Sequence, residues 1–106
     1  MTGRPACDAL ALREDDDVAT ALRALRAGET ARVRRGAAGF EVAVAEAIPL
    51  CHKLALRALA PGEGVRKYGE VIGETTSAVA KGGLVHVHNL ASRRARRAGG
   101  ERRHAG

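Results

Sequence analysis

Apolar positions in this chain come in short groups, each bounded by glycine, proline or charge, and no long helical period runs through them. Residues 9–12 have the length of a short strand. Behind them, Glu14-Asp15-Asp16-Asp17 leads into Val18-Ala19-Thr20-Ala21-Leu22-Arg23-Ala24-Leu25. Acids ahead of an apolar spacing of three to four residues are a helix-start signal, and they predict a helix of about two turns, stopped by Gly28. From Ala31 onward the apolar groups are rich in Val, Leu and Ile, and they predict strands over 31–35, 40–47, 53–59, 71–76 and 84–88. Pro49, Pro61, Gly62, Gly64, Gly82 and Gly83 fall between those groups, where turns belong. The expected body is mainly β, a small domain of short strands with one or two short helices.

An echo recurs three times: Leu25-Arg26-Ala27-Gly28, Leu59-Ala60-Pro61-Gly62 and Val79-Ala80-Lys81-Gly82. Each is an apolar anchor, two residues and a glycine. The copies stand 34 and then 20 residues apart, so they are no solenoid period. They read as a buried anchor, a tight turn and a strand return, which predicts a sheet folded over at sharp corners.

Length and composition narrow the picture. With 106 residues there is room for one domain, and its apolar content is carried by 22 alanines with Leu and Val, against one Phe, one Tyr and no Trp. Such a core is thin, which makes a surface for a partner plausible. The net charge of +6 is uneven, because residues 91–106 hold six Arg against Glu101. That tail has no apolar face and is expected to be disordered. The organisation predicted is a flexible arm over 1–8, a folded domain over 9–91 and a basic tail over 92–106. The tail has no interleaved aromatic for base stacking, which argues against nucleic acid as the partner. Two cysteines without CxxC spacing suit a reducing compartment, and no apolar run approaches the roughly 18 residues of a membrane span. With no signal-peptide pattern in MTGRPACDAL, the expected location is the cytoplasm, without membrane association.

Three groups carry candidate chemistry. In Pro49-Leu50-Cys51-His52-Lys53, a side chain titrating near neutral pH stands beside a fixed cation, a pair suited to a carboxylate, or else an exposed polar corner. Cys51 is expected to point away from His52 and pack. In Val85-His86-Val87-His88-Asn89, strand alternation would put both imidazoles on one face and both valines on the other. Two imidazoles are fewer ligands than a divalent site uses, so His52 or another chain would have to complete one; the alternative is a solvated strand face. In Arg66-Lys67-Tyr68-Gly69-Glu70, a basic pair and a phenol precede a turn, fit to hold an anion or simply to form a hairpin corner. Motifs for nucleotide hydrolysis, serine chemistry and structural zinc are absent from the sequence.

Taken together, IPLCHKLALRAL, VRKYGEVIGETTSAVAKGG and VHVHNL, in this order, resemble the small SAF module of the altronate and galactarate dehydratases, which also occurs as the small subunit of sulfolactate sulfo-lyase. The resemblance covers roughly residues 9–90 and is strongest from Ile48 onward. It implies a β-clip type of fold and a β-elimination from a sugar acid or a sulfonated acid. It further implies a separate large lyase subunit as partner, with no activity of the small chain alone; a homo-oligomer and a noncatalytic anion- or sugar-acid-binding module are the other readings. By the same resemblance His52 and Lys53 are the expected catalytic residues, with His52 an acid/base or a metal ligand. Lys67, Tyr68, His86 and His88 are the expected substrate-binding residues, and a divalent metal, iron or another, would be shared with the large subunit. Two positions depart from the family pattern: Cys51 stands where glycine is usual, and Arg13 where a histidine is usual.

Overall fold

The computed structural model describes residues 7–92, and most of the expected arm and tail lies outside them. Nine strands form two sheets: β1 (Ala9–Ala11), β2 (Val18–Ala21), β3 (Thr30–Arg35), β4 (Ala38–Ala43), β5 (Lys53–Ala55), β6 (Gly64–Lys67), β7 (Glu70–Thr75), β8 (Leu84–Val85) and β9 (Leu90–Ser92). The larger sheet runs β4-β3-β1-β2-β5-β8 and the smaller β6-β7-β9. Among the described residues only the β1–β3 pair is parallel. The mainly β expectation therefore holds.

The helix expected over 18–25 does not form, and no helix occurs among the described residues. Val18–Ala21 is instead a strand between β1 and β5, with Val18, Ala19 and Ala21 all buried. A central strand covered on both faces has no period-two signature, which explains the misreading. The acids ahead of it do not cap a helix. Asp16 accepts hydrogen bonds from the N–H groups of Leu12, Arg13 and Gly69, and Asp17 from that of Arg66. Both carboxylates tie distant turns together.

Other boundaries shift as well. The strand expected over 53–59 forms only over Lys53–Ala55, with Leu59 in an isolated bridge to Val79, and the one over 84–88 only over Leu84–Val85. β6 and β9 had no counterpart in the sequence reading. Cys7 and Asp8, at the end of the expected arm, are buried, and Ser92 pairs with Gly73.

The echoed tetrads are one repeated structure. Gly28, Gly62 and Gly82 all have positive φ, at 91°, 82° and 86°. Each occupies the third position of a turn closed by a backbone bond, Glu29 to Arg26, Glu63 to Ala60 and Gly83 to Ala80, as a type II turn requires. Around the first two turns the side-chain wiring is duplicated, with Arg23, Glu29 and Arg32 recurring 34 positions later as Arg57, Glu63 and Arg66 and with Asp17 in the place of Asp8. Arg23 joins Asp8 and Glu29, while Arg57 joins Asp17 and Glu63. The N–H of Arg32 donates to Asp8 and that of Arg66 to Asp17.

Two apolar cores result. One gathers Leu25, Ile48, Leu54, Val33 and Val42 with alanines of β1, β2 and β3. The other joins Val18, Ala55 and Val85 of the larger sheet to Val65 of the smaller, with Ile72 and Leu90 packed against it. No aromatic side chain is buried in either core. The edge of the second core, where the two sheets meet, positions the candidate site.

Candidate functional site

The turn that delivers His52 begins at Pro49. Cys51 donates its N–H to the Ala21 carbonyl and takes φ 71°, a left-handed conformation, before His52 donates to the Pro49 carbonyl. Cys51 is exposed. The packing role expected for it is therefore wrong: the residue is a turn corner, and the left-handed backbone turns its side chain outward. That conformation favours glycine.

His52 lies at the entrance of β5 and His86 just past β8. Because Lys53 pairs with Val85 in an antiparallel register, residues 52 and 86 fall opposite one another. Their rings meet with centroids 4.4 Å apart, tilted by 44°. The Nδ1 atom of His52 lies 3.2 Å from the Leu50 carbonyl, which leaves Nε2 as its other nitrogen. Desolvation first, and then the neighbouring charges of His52, Lys53 and His88, hold the His86 pKa below the ordinary imidazole value.

Lys53 and Lys67 come from different sheets and line one cleft of about 350 Å³ with Ile72, His86, Val87, Leu90 and Ser92. Burial, and then repulsion from Lys67, lowers the Lys53 pKa. No carboxylate is among the lining residues. Half-buried cations ordinarily sit beside an anion, so a cleft built this way is electrostatically prepared to receive one. A second hollow, of about 400 Å³, lies at the β3–β4 hairpin with Arg32, Arg34 and Glu41 on its walls. It contains none of the residues singled out from the sequence.

Tyr68 stands at a hairpin corner beside the cleft rather than in its wall. Tyr68 and Gly69 both have positive φ, at 55° and 81°, the signature of a type I′ turn. The Tyr68 ring lies 4.8 Å from the Lys67 ammonium. Beneath this corner sits Asp16, 1% exposed, whose Oδ1 accepts from the Gly69 N–H at 2.8 Å. Burial alone would raise its pKa, but backbone donors from Gly69, Arg13, Tyr68 and Leu12 outweigh it and the net shift is downward. Arg13 runs its side chain across Gly69.

The expectation that His86 and His88 share a strand face fails. Residues 86–89 form a turn, in which Asn89 donates its N–H to the His86 carbonyl. The buried Asn89 side chain also accepts from the His86 N–H and donates to the Leu84 carbonyl. These local bonds replace the strand ladder. As a result Val87 is 81% exposed, and His88 is exposed outside the cleft wall. The asparagine was the readable signal for this turn, since it competes with the backbone for exactly such bonds. The sequence reading also missed Ile72, Leu90 and Ser92 as walls, because they belong to strands whose pairing is nonlocal.

The donor set for a metal is small. No group of three or more His, Cys, Asp or Glu side chains placed to hold an ion occurs among the described residues. His52 and His86 supply two imidazoles, one short of the smallest common divalent site. The described residues alone do not fit such an ion.

Comparison with known proteins agrees with the geometry. The altronate/galactarate dehydratase SAF domain matches residues 7–93. The chain is 47% identical over 51 residues to (2R)-sulfolactate sulfo-lyase subunit alpha of Chromohalobacter salexigens, covering 48% of this chain and 54% of that protein. It is 42% identical over 55 residues to the protein of that name from Paracoccus pantotrophus, covering 52% and 82%. Over 78 residues it is 33% identical to altronate dehydratase of Bacillus subtilis, covering 74% of this chain but 15% of that protein. The chain thus spans about half of the first relative and a small part of the last. It belongs to the altronate/galactarate dehydratase SAF domain family.

Proposed function

We propose that the chain is the small subunit of a carbon–oxygen or carbon–sulfur lyase, and that it completes the active site of a separate large subunit for β-elimination from a sugar acid or sulfolactate. The observation that carries this reading is the convergence of Lys53, Lys67 and His86 on one cleft with no carboxylate in its wall, with the His52 ring against that of His86. Removing a proton α to a carboxylate builds charge on that carboxylate. Two ammonium groups from different sheets can hold the growing charge, since stabilisation by prepositioned cations is strongest where water is excluded. Lys53 and Lys67 are assigned to the substrate carboxylate, and Tyr68 and His88 to the rim. The His52–His86 pair is assigned to proton transfer: His86, whose pKa is held down, favours the neutral form able to accept a proton. A metal would need donors from the large subunit, and no step is routed through one.

The subunit reading has further support in the names of two relatives, each a "subunit alpha". Both cysteines are free, in keeping with a cytoplasmic setting, and no helix among the described residues is long and apolar enough to cross a membrane. Reconstitution tests the proposal. The chain is mixed with the large lyase subunit from the same genome and assayed with altronate, galactarate and (2R)-sulfolactate. Turnover that requires both proteins and falls on Lys53→Met supports it. Full turnover by the large subunit alone refutes it.

The noncatalytic alternative rests on the same set of cations, which can bind an anion without a partner. Calorimetry on the isolated chain with the three acids separates the two readings.

A further inference from the structure

Two exposed apolar side chains flank the cleft, and each is held out by a buried polar side chain beneath it. Val87 crowns the turn over 86–89, which Asn89, only 6% exposed, fixes by bonds to both His86 and Leu84. Tyr68, 47% exposed, crowns the hairpin corner that Asp16 fixes through Gly69. The turns come from different parts of the chain, yet His86 and Val87 line the same cleft as Lys67, whose ammonium lies against the Tyr68 ring. An 81% exposed valine on a braced turn contributes nothing to this chain's own core. Rigid presentation of apolar side chains lowers the ordering cost of association, and aromatic side chains so presented are typical anchors of interfaces.

We infer that Tyr68 and Val87 are the paired anchors of a docking rim for the large subunit, which closes over the cleft with apolar sockets for both side chains and leaves Lys53 and Lys67 to the substrate. This inference rests on the subunit reading above. Charge argues against a second copy of this chain as the occupant: the cleft carries Lys53 and Lys67 with no carboxylate in its wall, so the same face of a second copy would oppose like charges. A small ligand held by the lysines would leave both apolar tips in water, and only a macromolecular surface covers them.

The test measures association of the full chain with the purified large subunit from the same genome. V87D and Y68D each weaken binding about tenfold or more, as truncation of a central anchor does. A38D, the same charge change on exposed β4 at the far edge of the larger sheet, leaves it unchanged. Melting curves verify that the variants fold. Independently of any variant, hydrogen exchange on the wild-type mixture shows protection over 66–70 and 86–90. Binding undiminished by V87D and Y68D, or protection confined to the β3–β4 hairpin, overturns the docking rim while the subunit reading stands. No association of the wild-type chain, or no such reading frame in the genome, removes the subunit reading and the rim with it.

Discussion

The His52 and His86 rings lie with their centroids 4.4 Å apart because the β5–β8 register sets the two residues opposite each other at the mouth of a cationic cleft. Two imidazoles at this distance beside Lys53 resist carrying charge together. The His86 pKa is depressed, so the unfolded chain takes up the proton more readily than the folded one. Its contribution to stability is therefore complete above the ordinary imidazole value and is lost as the pH falls toward the folded value. NMR titration of the imidazole resonances should give His86 a midpoint below the ordinary value, and His52→Gln should move that midpoint up. A His86 midpoint at or above the ordinary value would contradict the geometry.

Lys53 should separate stability from binding. Its ammonium is half-buried beside Lys67 with no carboxylate in the cleft wall, so the folded protein bears a desolvation cost that nothing within the cleft offsets. Lys53→Met keeps the volume and removes the charge. Its melting temperature is expected to equal or exceed that of the wild type, while binding of sugar acids or sulfolactate to the complex reconstituted with the large subunit weakens at least tenfold, the order expected for a lost charge-assisted contact. A large drop in melting temperature would mean that Lys53 has a structural anion partner after all.

Asp16 holds two distant turns with one carboxylate. Oδ2 accepts from Leu12 and Arg13 at 3.1 Å each, and Oδ1 from Gly69 at 2.8 Å. Asp16→Ala leaves those donors without this acceptor and is expected to cost about 2–4 kcal/mol in urea unfolding. Because the Asp16 and Asp8 pKa values are lowered, their stabilisation is present above the ordinary carboxylate range and disappears as the pH falls through the folded values. The wild type should lose stability in acid, and Asp16→Ala should lose less of what remains.

Cys51 occupies a left-handed backbone position at φ 71°. Strain there is of the order of 1 kcal/mol for a residue with a Cβ, and it is worse when that carbon is branched. The expected order of unfolding free energy is Cys51→Gly at or above wild type, with Cys51→Val lowest by about 1–2 kcal/mol. Equal stability for glycine and valine would show that the turn can relax.

Thr20 faces Lys53 across the β2–β5 pair, and its hydroxyl is buried with no hydrogen-bond partner. Thr20→Val replaces an unsatisfied hydroxyl with a methyl of the same shape. It should raise stability by about 1 kcal/mol by chemical denaturation. A loss instead would point to a bound water as the missing partner.

Much of the design is local and was therefore readable in advance. The glycine of each echoed tetrad marked a turn because only a residue without a Cβ takes positive φ without cost, and Gly28, Gly62 and Gly82 all do so. Short Val- and Leu-rich groups marked strands, and the His-Lys, Lys-Tyr-Gly-Glu and His-x-His-Asn pieces marked the family; of their side chains, Lys53, Lys67 and His86 line the cleft. What local preference could not supply was pairing. Val18–Ala21 has an apolar spacing compatible with a helix and becomes a strand because β1 and β5 cover it from both sides. The second histidine pair met the opposite fate: His86 and His88 alternate like strand residues, but Asn89 folds them into a turn and sends His88 outward. His52 and His86 are 34 positions apart, and only the Lys53–Val85 register brings their rings together. Sequence sets which conformations each short segment tolerates; contacts between segments far apart in the chain choose among them, and the cleft is made of those contacts.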